Sequence, residues 1–363
     1  MSSCGRRISL FVIGMLSTAA ISCGTHRGLP DAGTLDAAMS STSDGAIDAS
    51  VPPLHFSDIG QPKSVSDQFY YSEGPVWDPQ NGVLYFSDIN GHQDAGVGGA
   101  IYRLTPPDVI DVLLQPAGNA DGLAIDPDGH VIAAGFAGRN VYRVNDGQMQ
   151  TLAPCDPPDD AITCYQGMQL NTPDDVAVRA DGIIYFTDPT FANGAQGFPQ
   201  LDLPLANAQG VYRLTSDGVL HLEDASALGP NGVNFSPDQK TLYVSYTLGS
   251  SVERFDVADD GSLSNKQTFT TSVLAPDSMC VDAGGNVYVG TLIGLSVFDP
   301  SGNALGTISF GSIVTNCAFG GSDQKTLYVT TRGPQTSFGA PVASDSSLYE
   351  IDDMPVPGVP GQN

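Results

Sequence analysis

The sequence predicts an all-β chain, a six-bladed β-propeller of four-stranded blades. Three observations carry this. One phrase recurs six times: a carboxylate or amide, a small residue, an alternating apolar strand, an Asp/Gly/Asn turn, and a second apolar strand. The leading residues Glu73, Asp121, Asp174, Asn231, Asp277 and Asn316 are spaced 39 to 57 residues apart, close to the ~40 to 50 residues of a propeller blade. A third strand of similar pattern follows each phrase, from AIYRLT at 100–105 to SLYEI at 347–351. A β-sandwich would not repeat one polar residue at one phase six times.

Taken in order, the chain opens with Arg6 and Arg7, an apolar run from Ile8, and small residues ending at Ser22-Cys23-Gly24. That order is a secretory signal over 1–22, too short in its apolar part for the ~20 residues of a membrane span. Cys23 after small residues resembles a bacterial lipoprotein signal and is the expected lipidation site. The expected address is therefore the cell envelope, with the outer membrane favoured and simple secretion or the periplasm as the alternative. Residues 23–53 are Gly, Ala, Ser, Thr and Asp with few large apolar residues, a composition that cannot offset its ordering entropy and reads as a linker. The propeller is expected over 54–357, with 358–363 as a tail.

Fourth strands are assigned near 109–115, 148–152, 219–223, 266–270 and 304–310. The sixth blade runs out of chain after Ile351, so the segment 54–65 is expected to close the ring as its fourth strand. Cys155 and Cys164 bracket a polar Pro/Asp loop and are expected to be bridged in an oxidising compartment. Cys280 and Cys317 lie inside apolar strand patterns and are expected to be small buried hydrophobes.

Lys and Arg number 14 against 40 Asp and Glu, a net charge of −26. Such a chain repels a phosphate backbone, which excludes nucleic acid as the partner. A small molecule or a cation fits better, and nothing in the sequence demands a second subunit, so a monomer is the default. There is no G-x-S-x-G elbow, H-E-x-x-H, EF-hand loop or P-loop. In a blade the leading residue of the innermost strand sits at one end of the channel, and the second-to-third connections return to that end. Three of these are long, 89–99, 189–209 and 332–346, and long loops on a rigid scaffold concentrate binding residues. His92 lies in the first and can reach the mouth. Glu73, Asp121, Asp174 and Asp277 around one axis repel one another, and a divalent cation with hard oxygen ligands offsets that. A water-filled channel with partly protonated acids is the alternative.

At these phrases the chain resembles the gluconolactonase and senescence-marker-protein (regucalcin-like) family of six-bladed propellers. The resemblance runs from about Ser72 to Pro360. It is carried by Ser72-Glu73-Gly74-Pro75, Asn171-Thr172-Pro173-Asp174-Asp175, the FTDP of 186–189, Pro230-Asn231-Gly232, Pro276-Asp277-Ser278-Met279 and the TNCAFGG of 315–321 with LYVTT after it. It implies one divalent metal on Glu73, Asp174, Asn231 and Asp277, with Ca²⁺ first and Zn²⁺, Mg²⁺, Mn²⁺ or Fe²⁺ also possible. The implied reaction is hydrolysis of a sugar lactone to its aldonic acid, with Asp277 as ligand and general base. Asn171 would contact substrate or orient ligands, with a turn-capping role as its alternative; Asp121 and Asn316 are left as substrate or supporting contacts. Three positions depart from the family. Asp174 stands where Asn is usual, Asp121 where Asn is frequent, and Gly135-Phe136 where many lactonases have Glu-His, which points to a substrate other than gluconolactone itself. A non-catalytic envelope propeller, or another metal-assisted esterase, is the competing reading.

Overall fold

The structure is a computed structural model and describes residues 51–90, 98–155, 163–191, 209–333 and 346–362. Cys23, the leader, most of the linker and His92 lie outside the described residues.

Six four-stranded antiparallel sheets form the blades. Blade one is Ser72–Asp78, Val83–Asp88, Ala100–Thr105 and Val109–Leu114; blade two is Ala120–Ile125, Val131–Gly135, Asn140–Asn145 and Gln148–Thr151. Blade three is Val176–Val178, Ile184–Asp188, Gly210–Leu214 and Leu220–Asp224; blade four is Pro230–Phe235, Thr241–Tyr246, Ser251–Val257 and Leu263–Thr270. Blade five is Met279–Val281, Val287–Thr291, Gly294–Phe298 and Ala304–Ile308. Blade six is Ile313–Gly320, Thr326–Arg332 and Ser346–Ile351, completed on its outer side by Lys63–Phe69.

Near-continuous apolar runs explain this arrangement, because each inner strand is buried on both faces and must find apolar partners on each. Ser72–Asp78, Pro230–Phe235 and their equivalents contain no exposed residue. Side chains of one parity pack against the preceding blade and those of the other against the next. Ile132 and Val141 of blade two meet Phe186 and Tyr212 of blade three, while Tyr185 and Val211 of blade three meet Val244 and Phe255 of blade four. Each of the six blade-to-blade junctions holds one such cluster. Trp77 fills the junction of blades six and one, stacked 5.9 Å from Tyr328 over Gly320.

The ring closes where expected, between the chain's first strand and its last blade, but the closing strand is Lys63–Phe69, not 54–65. Leu54 is instead buried with Met354 and Val356 in the blade five–six junction, and Phe56 lies over Gly306. The strand begins only after Pro62, where Lys63 pairs with Glu350 and Phe69 with Ser346. The segment assigned to the tail is tied to the inner turns: Gly358 N donates to Gln324 O at 2.8 Å and Gln362 Nε2 to Pro237 O at 3.3 Å.

Cys155 and Cys164 are bridged. So are Cys280 and Cys317, expected as small buried hydrophobes: both are buried, and they are joined to each other. They lie on the inner strands of adjacent blades with Cα atoms 5.5 Å apart, a span that suits a disulfide. Their separation of 37 residues corresponds to about 4 kcal/mol of loop-closure stabilisation in the chain-entropy account. In the folded protein, mild reductant followed by alkylation is expected to label Cys155 and Cys164 first, because Cys280 and Cys317 are 1 % and 0 % exposed. Mass analysis reads the order; simultaneous labelling of all four would contradict the inner cross-link.

Candidate functional site

The leading polar residues reach the channel through a recurrent irregularity. In blades one, two and four the inner strand shifts register at or just after that residue, and in blade six just before it: between Glu73 and Val76, Ala120 and Leu123, Pro230 and Val233, and Val314 and Asn316. A bulge of this kind re-aims a side chain that a regular strand would point into a blade face. The glycines that follow Asp121 and Asn231 have an equally local reason. A Cβ on Gly122 would stand 2.1 Å from Asp175 Oδ1, and one on Gly232 would stand 2.5 Å from Ser278 Cα, because inner strands converge at this end. Gly122 N donates to Asp174 O at 2.7 Å across that gap. Gly122→Ala is expected to destabilise the fold by about 1–3 kcal/mol through overpacking and to weaken divalent-ion affinity by displacing Asp174; urea unfolding and calcium titration read the two effects.

Second-strand hydroxyls hold the leading residues from behind. Ser87 Oγ donates to Asp121 O at 2.7 Å, Thr187 Oγ1 to Asn231 O, and Ser245 Oγ to Asp277 O at 2.6 Å, each reaching from one blade to the next. Asp277 N donates to Gly290 O at 2.9 Å, so its backbone is held on both sides. The sequence carried a signal for this set, the Ser or Thr recurring in FSD, FTD and VSY.

Glu73, Asp121 and Asp174 are 3 %, 7 % and 6 % exposed, and Asp277 is half-buried. Burial, then repulsion from the other acids, raises Glu73 and Asp121 well above the usual carboxylate range, and burial with repulsion from Asp277 and Asp175 does the same to Asp174. Burial also raises Asp277, to about 6, against the opposing field of Arg332 and a hydrogen bond from the Asn231 side chain. The structure thus brings Glu73, Asp121, Asp174, Asn231 and Asp277 together. Asn316 is buried, with its Oδ1 accepting from Cys317 N at 2.7 Å. Asn171 Nδ2 donates to Asp188 Oδ2 at 2.9 Å, and Asp188 adds its charge to the field on Asp174.

Whether this set fits a metal ion is tested by its donors. Asn231 Oδ1 is buried and accepts no hydrogen bond, and a buried polar atom left without a partner costs stability. It belongs to a side chain whose neighbours are carboxylates, all hard oxygen donors. A cation satisfies the orphaned oxygen and the like charges at once, so the residues fit. A tighter grouping, Asp126, Asp128 and His130 with donor atoms within 4.8 Å, lies in the inner turn of blade two at the other end of the channel. There Arg143 already pairs with Asp126 at 2.8 Å and the His130 backbone N–H donates to it at 2.9 Å, so the group is a turn network.

Sequence reasoning missed three contributors. Asp175 is buried, accepts from Val176 N at 2.9 Å and Val233 N at 3.0 Å, and ties blade three to blade four beside Asp174. Tyr71 is buried under the Arg332 guanidinium, 5.2 Å from its ring, and both feel the charge of Asp277. Neither Tyr71 nor Arg332 belongs to the repeating phrase. Phe136 packs with Tyr71, Ile89 and Phe191 in an apolar cluster beside the acids.

The sequence profile described as "SMP-30/Gluconolactonase/LRE-like region" matches residues 71–333. The chain belongs to this family. Among its relatives, a gluconolactonase of Zymomonas mobilis is 29 % identical over 300 residues, covering 75 % of this chain and 80 % of its own. A pentonolactonase of Haloferax volcanii is 28 % identical over 268 residues, covering 72 % and 81 %. A solved gluconolactonase of Xanthomonas campestris superposes with a TM-score of 0.67 at 32 % identity, over 82 % of this chain and 89 % of its own. The family match spans all six leading residues, from Glu73 to Asn316.

Proposed function

We propose that the chain is a metal-dependent hydrolase that opens a sugar lactone to its aldonic acid. The observation that carries it is the orphaned Asn231 Oδ1 set among four mutually repelling acids, at the mouth of a propeller whose relatives bear lactonase names. Glu73, Asp174, Asn231 and Asp277 would hold the ion, Ca²⁺ in the first place and Zn²⁺, Mg²⁺, Mn²⁺ or Fe²⁺ as competent substitutes. Bound there, a divalent ion supplies Lewis acidity at a carbonyl oxygen and compensates developing negative charge.

The chain's own residues do the rest. Asp277 takes a proton from water as the water oxygen attacks the lactone carbonyl carbon. The ring carbon–oxygen bond then breaks, and the proton passes to the ring oxygen, leaving a hydroxy acid. The position of Asp277 supports this, since it is the most accessible of the four acids and its value near 6 leaves it ionised at neutral pH. Asp121 and Asn316 would contact substrate at the mouth. Asn171, through Asp188, would fix the orientation of Asp174, and His92 is kept as a candidate substrate contact.

The test is proton release from glucono-, galactono- and xylonolactone by the chain lacking residues 1–22, with calcium and with chelator. Opening at least one lactone only in the ion-loaded form is the expected result; no opening by ion-replete protein removes the reading. The address is a separate proposal, a lipid anchor on Cys23 directing the protein to the outer membrane. Cys23→Ser should move it from the membrane fraction to the soluble one.

A further inference from the structure

Large hydrophobic side chains that stand exposed fall into two groups among the described residues. Val109, Val112, Met149, Met168 and Val219 are scattered over the outer strands, a turn and a hairpin of blades one to three. Leu228, Leu248, Leu274, Leu292 and Ile293, 43 % to 63 % exposed, are all on mouth-side connections of blades four and five. Isolated exposed leucines are ordinary, whereas a contiguous group at a site marks binding.

These residues are joined to the site and to one another. Leu228 and Leu274 each stand three residues before a leading residue, Asn231 and Asp277. The turn carrying Leu248 bridges their connections: Thr247 N donates to Gly229 O at 2.9 Å and Thr247 Oγ1 to Pro276 O at 2.7 Å. Leu248 and Phe191 both flank Gly229, where an added Cβ would lie 2.9 Å from Leu248 Cγ and 3.2 Å from Phe191 Cε1. Phe191 continues into the cluster of Tyr71, Ile89 and Phe136, and Tyr71 lies within the field of Glu73, Asp121 and Asp277. Leu292 and Ile293 follow Gly290, whose carbonyl receives the Asp277 N–H. An apolar crescent of exposed Leu228, Leu248, Leu274, Leu292 and Ile293 therefore follows the mouth connections beside Asn231 and Asp277, backed at Phe191 by the buried cluster that contains Phe136.

We propose that this crescent is the subsite for an apolar substituent, so that the preferred substrate is a lactone bearing an alkyl or aryl side chain in preference to a fully hydroxylated one. The proposal rests on the reading that the mouth opens lactones. A wall of leucine offers hydroxyl groups no partners and strips their water, while methylenes laid on it leave water favourably. The occupant is the substrate itself because the crescent is continuous with the acids that act on it.

The test compares kcat/KM for γ-butyrolactone and its γ-alkyl homologues of increasing length, with glucono-δ-lactone alongside. The expected result is a rise of roughly threefold per methylene over the first few. Leu248→Ser with Leu274→Ser should flatten that rise by raising KM for the long homologues, and Val112→Ser on the far side should leave it unchanged. If glucono-δ-lactone or γ-butyrolactone is opened but chain length has no effect, the proposal falls and lactone hydrolysis stands; if no lactone is opened, both fall. A flat series together with self-association that the double variant abolishes would give the crescent to a second copy of the chain and overturn the proposal.

Discussion

Asp277→Asn is expected to lower kcat for lactone opening by about 1000-fold, the middle of the range for losing a general base. The substitution is nearly isosteric, and the backbone it sits on is fixed by Ser245 Oγ and Gly290 O, so the fold should survive. An amide oxygen can still face a cation but cannot take a proton from water. Steady-state kinetics should therefore show the loss in kcat far more than in KM, and calcium titration should still find a site. Asp282→Asn is the comparison. Asp282 also sits on blade five with its value raised to about 6 by burial, but its partners are Gly284, Asn286 and Tyr288 at the inner-turn end. That variant should lose stability and keep kcat. Full activity in Asp277→Asn would take the base role from this residue.

Calcium is expected to raise the unfolding temperature, and to raise it more at pH 8 than at pH 5. The sign follows from the direction of the shifts. Asp277 is raised to about 6 and Asp175 to about 7, both mainly by burial, and Glu73, Asp121 and Asp174 rise well above the usual range. Acids raised in the folded state carry no penalty below their unfolded values near 4. As pH rises through the folded values the metal-free protein loses stability, because its mouth must ionise in a buried, like-charged setting while the unfolded chain ionises in water. A bound ion cancels that cost. At a free concentration about 100 times Kd the gain is about 2.7 kcal/mol. Calorimetry with calcium and with chelator reads it; identical unfolding temperatures at both pH values would contradict an ion at the mouth.

Which parts of this were legible in the sequence has a physical explanation. The blades were, because one phrase fixes strand, turn and strand in register six times, and the leading residues were because they occupy one phase of it. The bulges at Glu73 and Asn231 were not, since a register shift shows only against a paired strand. Cys280 and Cys317 each looked like an apolar residue in a strand, and their pairing depends on how two blades stack. Lys63–Phe69 was misplaced because Leu54 and Phe56 are as apolar as a strand requires, yet are used to fill the blade five–six junction. Tyr71 and Arg332 come from opposite ends of the domain sequence and meet only when the ring closes.

That closure governs how the protein can fold. Lys63 pairs with Asp352 across 289 residues, and Ser72 N with Ser346 Oγ across 274. Contacts of such separation form slowly, since nearly the whole chain must be ordered into a loop before they repay its entropy. No nascent chain shorter than the complete domain can present both edges of blade six. Folding to the closed ring is therefore a late, all-or-none event, and an incomplete chain keeps an open sheet edge available to other chains.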